Sequence, residues 1–337
     1  MYRKLVLAAF ALTAFVVVLG AYVRLSDAGL GCPDWPGCYG QLTPHHAADD
    51  IARAQEAMPG GPVSLPKAWK EMVHRYLAAS LGLLILAIAA LAWRRRADPT
   101  VAWQVAVALV GVVIFQGLLG KWTVTLLLKP AIVTGHLLGG MTTLALLGWL
   151  ALRAWSIPRL EVGASLALSL RLGLVLVAVQ IILGGWTSTN YAALACADFP
   201  TCHGDWWPEA DYRNAFHVVR ELGMTAEGEL LSQEALTAIH WTHRLGALVV
   251  AAYLSVLAFR LARQPGAGKW AALLMAGWTI QALLGVANVL FSLPLPLAVA
   301  HNGGAALLLV ILVTLNYRFG RVSAPAWTGR NHENAYA

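Results

Sequence analysis

Apolar residues fall in long, unbroken runs along this chain, separated by connections that hold nearly all its charge. Eight runs approach the roughly 20 residues needed to cross a bilayer. They cover about 5–23, 73–93, 101–121, 131–152, 166–187, 236–259, 270–291 and 297–317. In lipid, every backbone polar group must find its partner within the protein, so each run is expected to be a helix. The chain therefore reads as an all-α membrane protein with eight transmembrane helices. Composition agrees: 58% of the 337 residues are hydrophobic and 12% are charged, about half the charge of a soluble domain. Mean hydropathy is +0.63.

The net charge of +7 would fit a nucleic-acid partner, but its distribution does not. Basic residues sit in alternate connections: Arg3 and Lys4, Arg94 to Arg96, Arg153 and Arg159, Arg260, Arg263 and Lys269, Arg318 and Arg321. The other connections are acidic, with Asp27, Asp34, Asp49, Asp50 and Glu56 in one and Asp198, Asp205, Glu209, Asp211, Glu221, Glu227, Glu229 and Glu234 in another. The positive-inside rule then places both termini in the cytoplasm and the acidic loops outside. A bacterial inner membrane is the expected location, with the lipid bilayer and no nucleic acid as partner. The first apolar run has the flanks of a signal peptide, but it belongs to an internal repeat and is read as a retained helix.

All four cysteines lie in two copies of one frame, C-x-D-x-P-x-C-x-G: CPDWPGCYG at Cys32–Gly40 and CADFPTCHG at Cys196–Gly204. Both copies fall in the expected outer loops, where disulfides persist. A metal pair is the alternative, but no further cysteine stands nearby to complete a four-ligand site. The spacing favours Cys32–Cys38 and Cys196–Cys202 as intraloop disulfides, since a turning chain of this length brings the Cα atoms within bonding range. Pro36 and Pro200 favour that turn. Each bridge either pins its loop or makes the loop a lid.

The loops belong to a longer repeat. Gly20 and Gly184 each precede the first cysteine of their loop by twelve residues. QGLLG (Gln116–Gly120) answers QALLG (Gln281–Gly285), and sixteen residues after each stands a histidine, His136 in TGHLLGG and His301 in AHNGGAA. MVHR (Met72–Arg75) answers WTHR (Trp241–Arg244). Each repeat holds an even number of spans, so both copies enter the membrane in the same direction, related by a pseudo-two-fold axis along the membrane normal. Two four-helix bundles are expected, 1–160 and 161–325, with a cytoplasmic tail at 326–337. Gly117, Gly120, Gly135, Gly139 and Gly140 read as close-packing positions.

Of ten histidines, His45, His46, His203, His217 and His332 fall in loops or the tail. His74, His136, His243 and His301 fall within apolar helices, where ionisable residues are costly and usually functional. There is one pair per bundle, at similar depth. Two imidazoles facing across a bundle suit the two axial positions of one haem iron, whereas zinc asks for further ligands at the same level. Arg75 and Arg244 follow two of these histidines. They either meet haem propionates through forked hydrogen bonds or snorkel to the interface.

The copies differ at a few places. Glu71 precedes His74 by three residues, which puts both on one helix face; the matching residue before His243 is His240. Lys121 and Trp122 stand against Val286 and Ala287, and Arg24 against Ser188. A carboxylate in one site only suits an enzyme that moves protons there, although an acidic residue opening a helix also satisfies the helix dipole.

EMVHR, the paired C-x5-C loops, TGHLLGG, WTHR and AHNGGA, in this order over about residues 5–317, resemble haem A synthase. That family oxidises the C8 methyl of haem O to a formyl group, giving haem A for terminal oxidases. The resemblance implies that His74 and His136 flank the substrate haem O, with Glu71 catalytic. It also implies that His243 and His301 ligate the iron of a resident haem b. Family members vary in their loop cysteines, and this chain resembles the form with a pair in both outer loops. Haem O delivered by haem O synthase and an unidentified electron partner would complete the system. A quinol-linked di-haem electron carrier explains the histidines but not the asymmetry at Glu71. A transporter fits the repeat but not the position of the histidines.

Overall fold

Each apolar run forms one long helix in the computed structural model, which describes residues 1–320. In chain order the helices are α1 Tyr2–Leu25, short α2 Ala48–Ala57, α3 Leu65–Arg94, α4 Trp103–Thr125, α5 Pro130–Ala154, α6 Ala164–Thr189, short α7 Tyr212–Ala215, α8 Gln233–Ala262, α9 Gly268–Leu290 and α10 Leu295–Arg318. All but α2 and α7 are long and apolar enough to cross a membrane. No strand is formed among the described residues. His332, Arg321 and the tail expected at 326–337 lie outside the described residues.

Local chemistry sets the helix ends. Proline stands in the first turn of α3, α5 and α10, where its missing N–H costs nothing. The Ser232 hydroxyl caps α8 by accepting the Ala235 N–H. Arg94, Arg153, Arg260 and Arg318 occupy the last turns of α3, α5, α8 and α10, where cations complement the helix dipole. These ends, with Arg3 and Lys4 at the start of α1, mark one end of the molecule; the cysteine loops mark the other.

α3 starts eight residues before the apolar run that announces it. Lys67, Lys70 and Glu71 interrupt the hydropathy without interrupting the helix. At ~1.5 Å per residue, a 30-residue helix is about 45 Å long and overreaches a hydrocarbon core of about 30 Å. Glu71 is thus well past the first turn, so the helix-dipole account of it does not hold.

The helices pack in two rings. α1 packs on α3, α3 on α4, α4 on α5 and α5 back on α1; α6, α8, α9 and α10 repeat the cycle. The rings meet through α5 on α10, α1 on α10 and α5 on α6, the pattern that a two-fold relation would give. The expected 160/161 division falls in the connection between α5 and α6. Thr134 and Thr189 hydroxyls lie 3.1 Å apart across this seam. Arg24 reaches over it to donate to the carbonyl of Ser188 at 2.9 Å. Those two residues hold the same place in the two repeats, so part of the asymmetry is spent on joining them.

The large apolar cores fill the arginine end. Val6, Ile85, Ile88, Leu109 and Leu147 are buried together in the first ring. Leu170, Leu254, Leu257, Leu274 and Leu312 are buried in the second, in a cluster that extends to Met141 and Leu144 of α5. Toward the loop end, glycines and histidines line the rings instead.

Candidate functional site

His74, His136, His243 and His301 each rest against a glycine of a neighbouring helix. A Cβ built on Gly20 would stand 3.0 Å from Cε1 of His74, and one on Gly184 would stand 3.0 Å from Cε1 of His243. The same holds for Gly120 against His136 at 3.3 Å and Gly285 against His301 at 3.0 Å. Any side chain there would push the imidazole from its seat. α1 therefore seats the histidine of α3, and α4 that of α5; α6 and α9 do the same for α8 and α10. Gly120 had a plain packing reading in the sequence, and its partner proves to be the histidine sixteen residues later.

The rings of His74 and His136 have centroids 6.4 Å apart and planes at 79°. A metal–imidazole bond is about 2.0 Å, and the ring centre lies about 1.1 Å beyond the nitrogen. Two rings on opposite sides of one metal should therefore have centroids about 6.2 Å apart. The observed separation fits that arrangement. Nδ1 of His74, His136 and His301 is buried without a hydrogen-bond partner, a cost expected only where something else compensates it. Among the described residues no group of three or more His, Cys, Asp or Glu could hold a metal ion. The donor sets thus suit a group bringing its own equatorial ligands, as a haem does.

The cysteine loops close above these sites. Cys32–Cys38 and Cys196–Cys202 are disulfides with Cα separations of 4.9 and 4.8 Å. The aspartate and the last glycine of the shared frame each have a physical reason. Asp34 accepts the backbone N–H groups of Tyr39 at 2.6 Å and Gly40 at 2.7 Å. Asp198 accepts those of His203 at 2.7 Å and Gly204 at 3.0 Å. The last glycine of each frame has φ of 70° or 82°, the left-handed region that glycine enters without strain. Hydrogen bonds from the Thr201 hydroxyl and from the Gly204 and His203 N–H groups hold the Asp198 carboxyl below the ordinary carboxylate range. Met72 of α3 is buried with the first disulfide, and Trp241 of α8 with the second.

Glu71 and His240 hold these loops to α3 and α8. Oε2 of Glu71 accepts the Cys32 N–H at 2.9 Å, and Oε1 pairs with Arg75 at 2.6 Å. In the second copy, Nδ1 of His240 accepts the Cys196 N–H at 3.2 Å, and Nε of Arg244 lies 3.2 Å from its Nε2. Glu71 is the only buried carboxylate among the described residues. A carboxylate accepts at both oxygens, whereas a neutral imidazole accepts at one nitrogen only, so the first latch is the stronger acceptor. His240, which carried no role in the sequence reading, takes its role from this equivalence.

The two arginines expected near propionates are engaged elsewhere. Arg75 donates to the carbonyls of Asp34 at 2.8 Å and Gly37 at 2.7 Å. Arg244 donates to those of Thr201 and Cys196, both at 2.7 Å. Neither snorkelling nor a free fork describes them: both guanidinium groups brace the cysteine loops. Of the loop histidines, His46 lies 2.8 Å from the Thr43 hydroxyl and His203 lies 3.3 Å from that of Thr237. The long second loop packs on its own ring, with Trp186 donating to the carbonyl of Ala215 at 2.9 Å and Arg220 to Asn190 at 2.5 Å.

Residues 3–313 match the family model described as cytochrome oxidase assembly protein. A relative from Shewanella oneidensis, named "Heme A synthase", is 43% identical over 310 residues, covering 90% of this chain and 92% of the relative. A protein of the same name from Caulobacter vibrioides is 30% identical over 335 residues, covering 91% and 92%. One from Shouchella clausii is 29% identical over 312 residues, covering 89% of each chain.

Proposed function

This chain belongs to the cytochrome oxidase assembly protein family, and from that premise we propose that it oxidises the C8 methyl group of haem O to the formyl group of haem A. It is an integral membrane protein and an enzyme of haem A biosynthesis. His74 and His136 hold the substrate haem O in the first ring. His243 and His301 hold the iron of a resident haem b in the second. The observation that carries this reading is the 6.4 Å separation of the His74 and His136 rings, each seated on a glycine of the neighbouring helix.

Bound haem supplies the redox chemistry and the path for electrons, while the protein supplies position and electrostatics. The chain's own residues divide that task. The glycine seats fix each imidazole. The disulfide loops, closed by Asp34 and Asp198 and braced by Arg75 and Arg244, cover the sites. Glu71 ties the first loop to the turn that carries His74. When Oε2 releases the Cys32 N–H it becomes free to take a proton, and oxidising a methyl to a formyl group with the oxygen taken from water releases both protons and electrons. His240 stands in the place of Glu71 beside the second site, so only the first site has a carboxylate.

Haem O arrives from haem O synthase through the bilayer, and an electron partner accepts what the oxidation releases. The arginine end faces the cytoplasm and the cysteine loops face outward, a reading that the distribution of basic residues supports. Extraction of haems from protein purified with and without a haem O supply, followed by mass analysis, tests the reading. Haem b should be constant, and haem O and haem A should appear only with the supply. Two identical haems whatever the supply would instead identify a di-haem carrier.

A further inference from the structure

The glutamine of the QGLLG and QALLG motifs is unexplained by the sites as described. In the structure it faces a ligand histidine. Nε2 of Gln116 donates to the backbone carbonyl of His136 at 2.9 Å. Nε2 of Gln281 lies 3.4 Å from Nε2 of His301. A third glutamine does the same in α6: Nε2 of Gln180 donates to the carbonyl of His243 at 2.9 Å and lies 3.0 Å from its Nδ1. Each glutamine stands four residues before the glycine that seats its histidine, in Gln116–Gly120, Gln180–Gly184 and Gln281–Gly285.

A second glycine makes room for each amide. Gly139, Gly246 and Gly304 each follow their ligand histidine by three residues, and a Cβ at any of them would overlap the amide oxygen of Gln116, Gln180 or Gln281. That oxygen is buried without a partner in all three glutamines, and Nδ1 of His136 and His301 is also without one. At His243 and His301 the amide nitrogen faces the ring; turning the amide over exchanges nitrogen and oxygen and would bring the unpartnered acceptor to the ring. A histidine bound to iron through Nε2 carries its proton on Nδ1, and ligating histidines almost always donate that proton to a fixed acceptor.

The fourth ligand lacks this device. The residue four before Gly20 is Val16, and the residue three after His74 is Leu77. Nδ1 of His74 is buried and unpartnered, with no amide on α1 to meet it. We propose that Gln116, Gln180 and Gln281 are positioning residues that hold His136, His243 and His301 on their irons. We further propose that Val16 and Leu77 make His74 the weakly held ligand. The resident haem then has two supported ligands and stays. The substrate haem has one supported and one releasable ligand, so product can leave and the His74 side of the iron can open. This inference rests on the assignment of haem to the two histidine pairs.

Transfer of haem to excess apomyoglobin tests it, using full-length protein in detergent loaded with haem b. His74→Ala and His243→Ala identify the phase belonging to each ring. The wild type should lose haem in a fast phase from the first ring and a slow phase from the second. Gln180→Leu and Gln281→Leu should each speed the slow phase by about 10–100-fold, the usual effect of losing such a partner. They should also raise the midpoint potential of that haem, because an Nδ1–H that donates to the amide oxygen makes the imidazole more electron-rich. Val16→Gln combined with Leu77→Gly should slow the fast phase toward the slow one. Equal wild-type phases overturn the inference, as do glutamine variants with unchanged release and potential. If a glutamine variant fails to fold, the α1 and α3 double substitution decides alone, and an unchanged fast phase overturns it. Loss of the haem assignment itself looks different: no bis-histidine spectrum forms before any transfer begins.

Discussion

The backbone N–H of Cys32 donates to Oε2 of Glu71 at 2.9 Å, so the first cysteine loop hangs from a carboxylate one helical turn from His74. The matching bond from Cys196 to His240 shows that an imidazole can hold the same kind of loop. Holding the loop needs only an acceptor. Glu71→Gln keeps one and cannot take a proton, so it should keep the loop closed, with normal hydrogen-exchange protection over 31–41, while haem A formation falls by the ~10²–10⁴-fold typical of a lost acid–base group. Near-normal conversion would leave Glu71 as a latch alone.

The bonded pairs Cys32–Cys38 and Cys196–Cys202 leave no free cysteine among the described residues. Thiol-reactive reagents should label none of the four in unreduced protein and all four after reduction and unfolding. Cys32→Ser with Cys38→Ser should cost about 2–4 kcal/mol, seen as a lower unfolding temperature and faster proteolysis within the first loop. The second loop should be untouched by that change.

Hydrogen bonds from Thr201, Gly204 and His203 lower the Asp198 pKa, so the folded loop prefers the charged carboxylate. Its contribution is complete above the unfolded value of about 3.9 and is lost as pH falls through the lower folded value. Protection of residues 196–204 should therefore be flat from neutral pH down to about 4 and fall below it. Asp198→Asn should loosen the same segment already at neutral pH. Hydrogen-exchange mass spectrometry across this range reads both effects.

Arg24 donates to the Ser188 carbonyl, pairs with Asp27 at 3.7 Å and lies 4.1 Å over the Tyr191 ring. Its hydrogen bond joins the rings at the orphaned carbonyls that end α6. A hydrogen bond to a charged group is worth about 1.5–3 kcal/mol. Arg24→Ala should lower the thermal unfolding temperature while haem stoichiometry stays the same. A matching drop in haem content would instead place Arg24 in the first site.

The eight spans, the repeat and the paired histidines could be read from the chain because lipid permits so few backbone solutions. Hydropathy could not place the start of α3, because Lys67, Lys70 and Glu71 are polar residues in a helix that continues past the apolar slab. The contacts of Arg75 and Arg244 with the cysteine loops were not legible in the sequence, because only the folded loop supplies the carbonyls they meet. Gly20 and Gly184 were visible as repeat markers, yet their contact with histidines is made between helices far apart in sequence. Gln180 was readable in principle: the spacing Q-x3-G occurs in α4, α6 and α9 and fails in α1.

The assignment of one exchangeable and one resident haem is tested most directly by haem content, resolved by site, in four purified variants made with a haem O supply. His243→Ala and His301→Ala should lose haem b and its low-spin bis-histidine spectrum, with a lower protein yield because the second ring loses packing as well as a ligand. His74→Ala and His136→Ala should keep haem b at the wild-type level and lose haem O and haem A. Full haem b in both second-ring variants, or loss of haem b in the first-ring variants alone, would contradict the account.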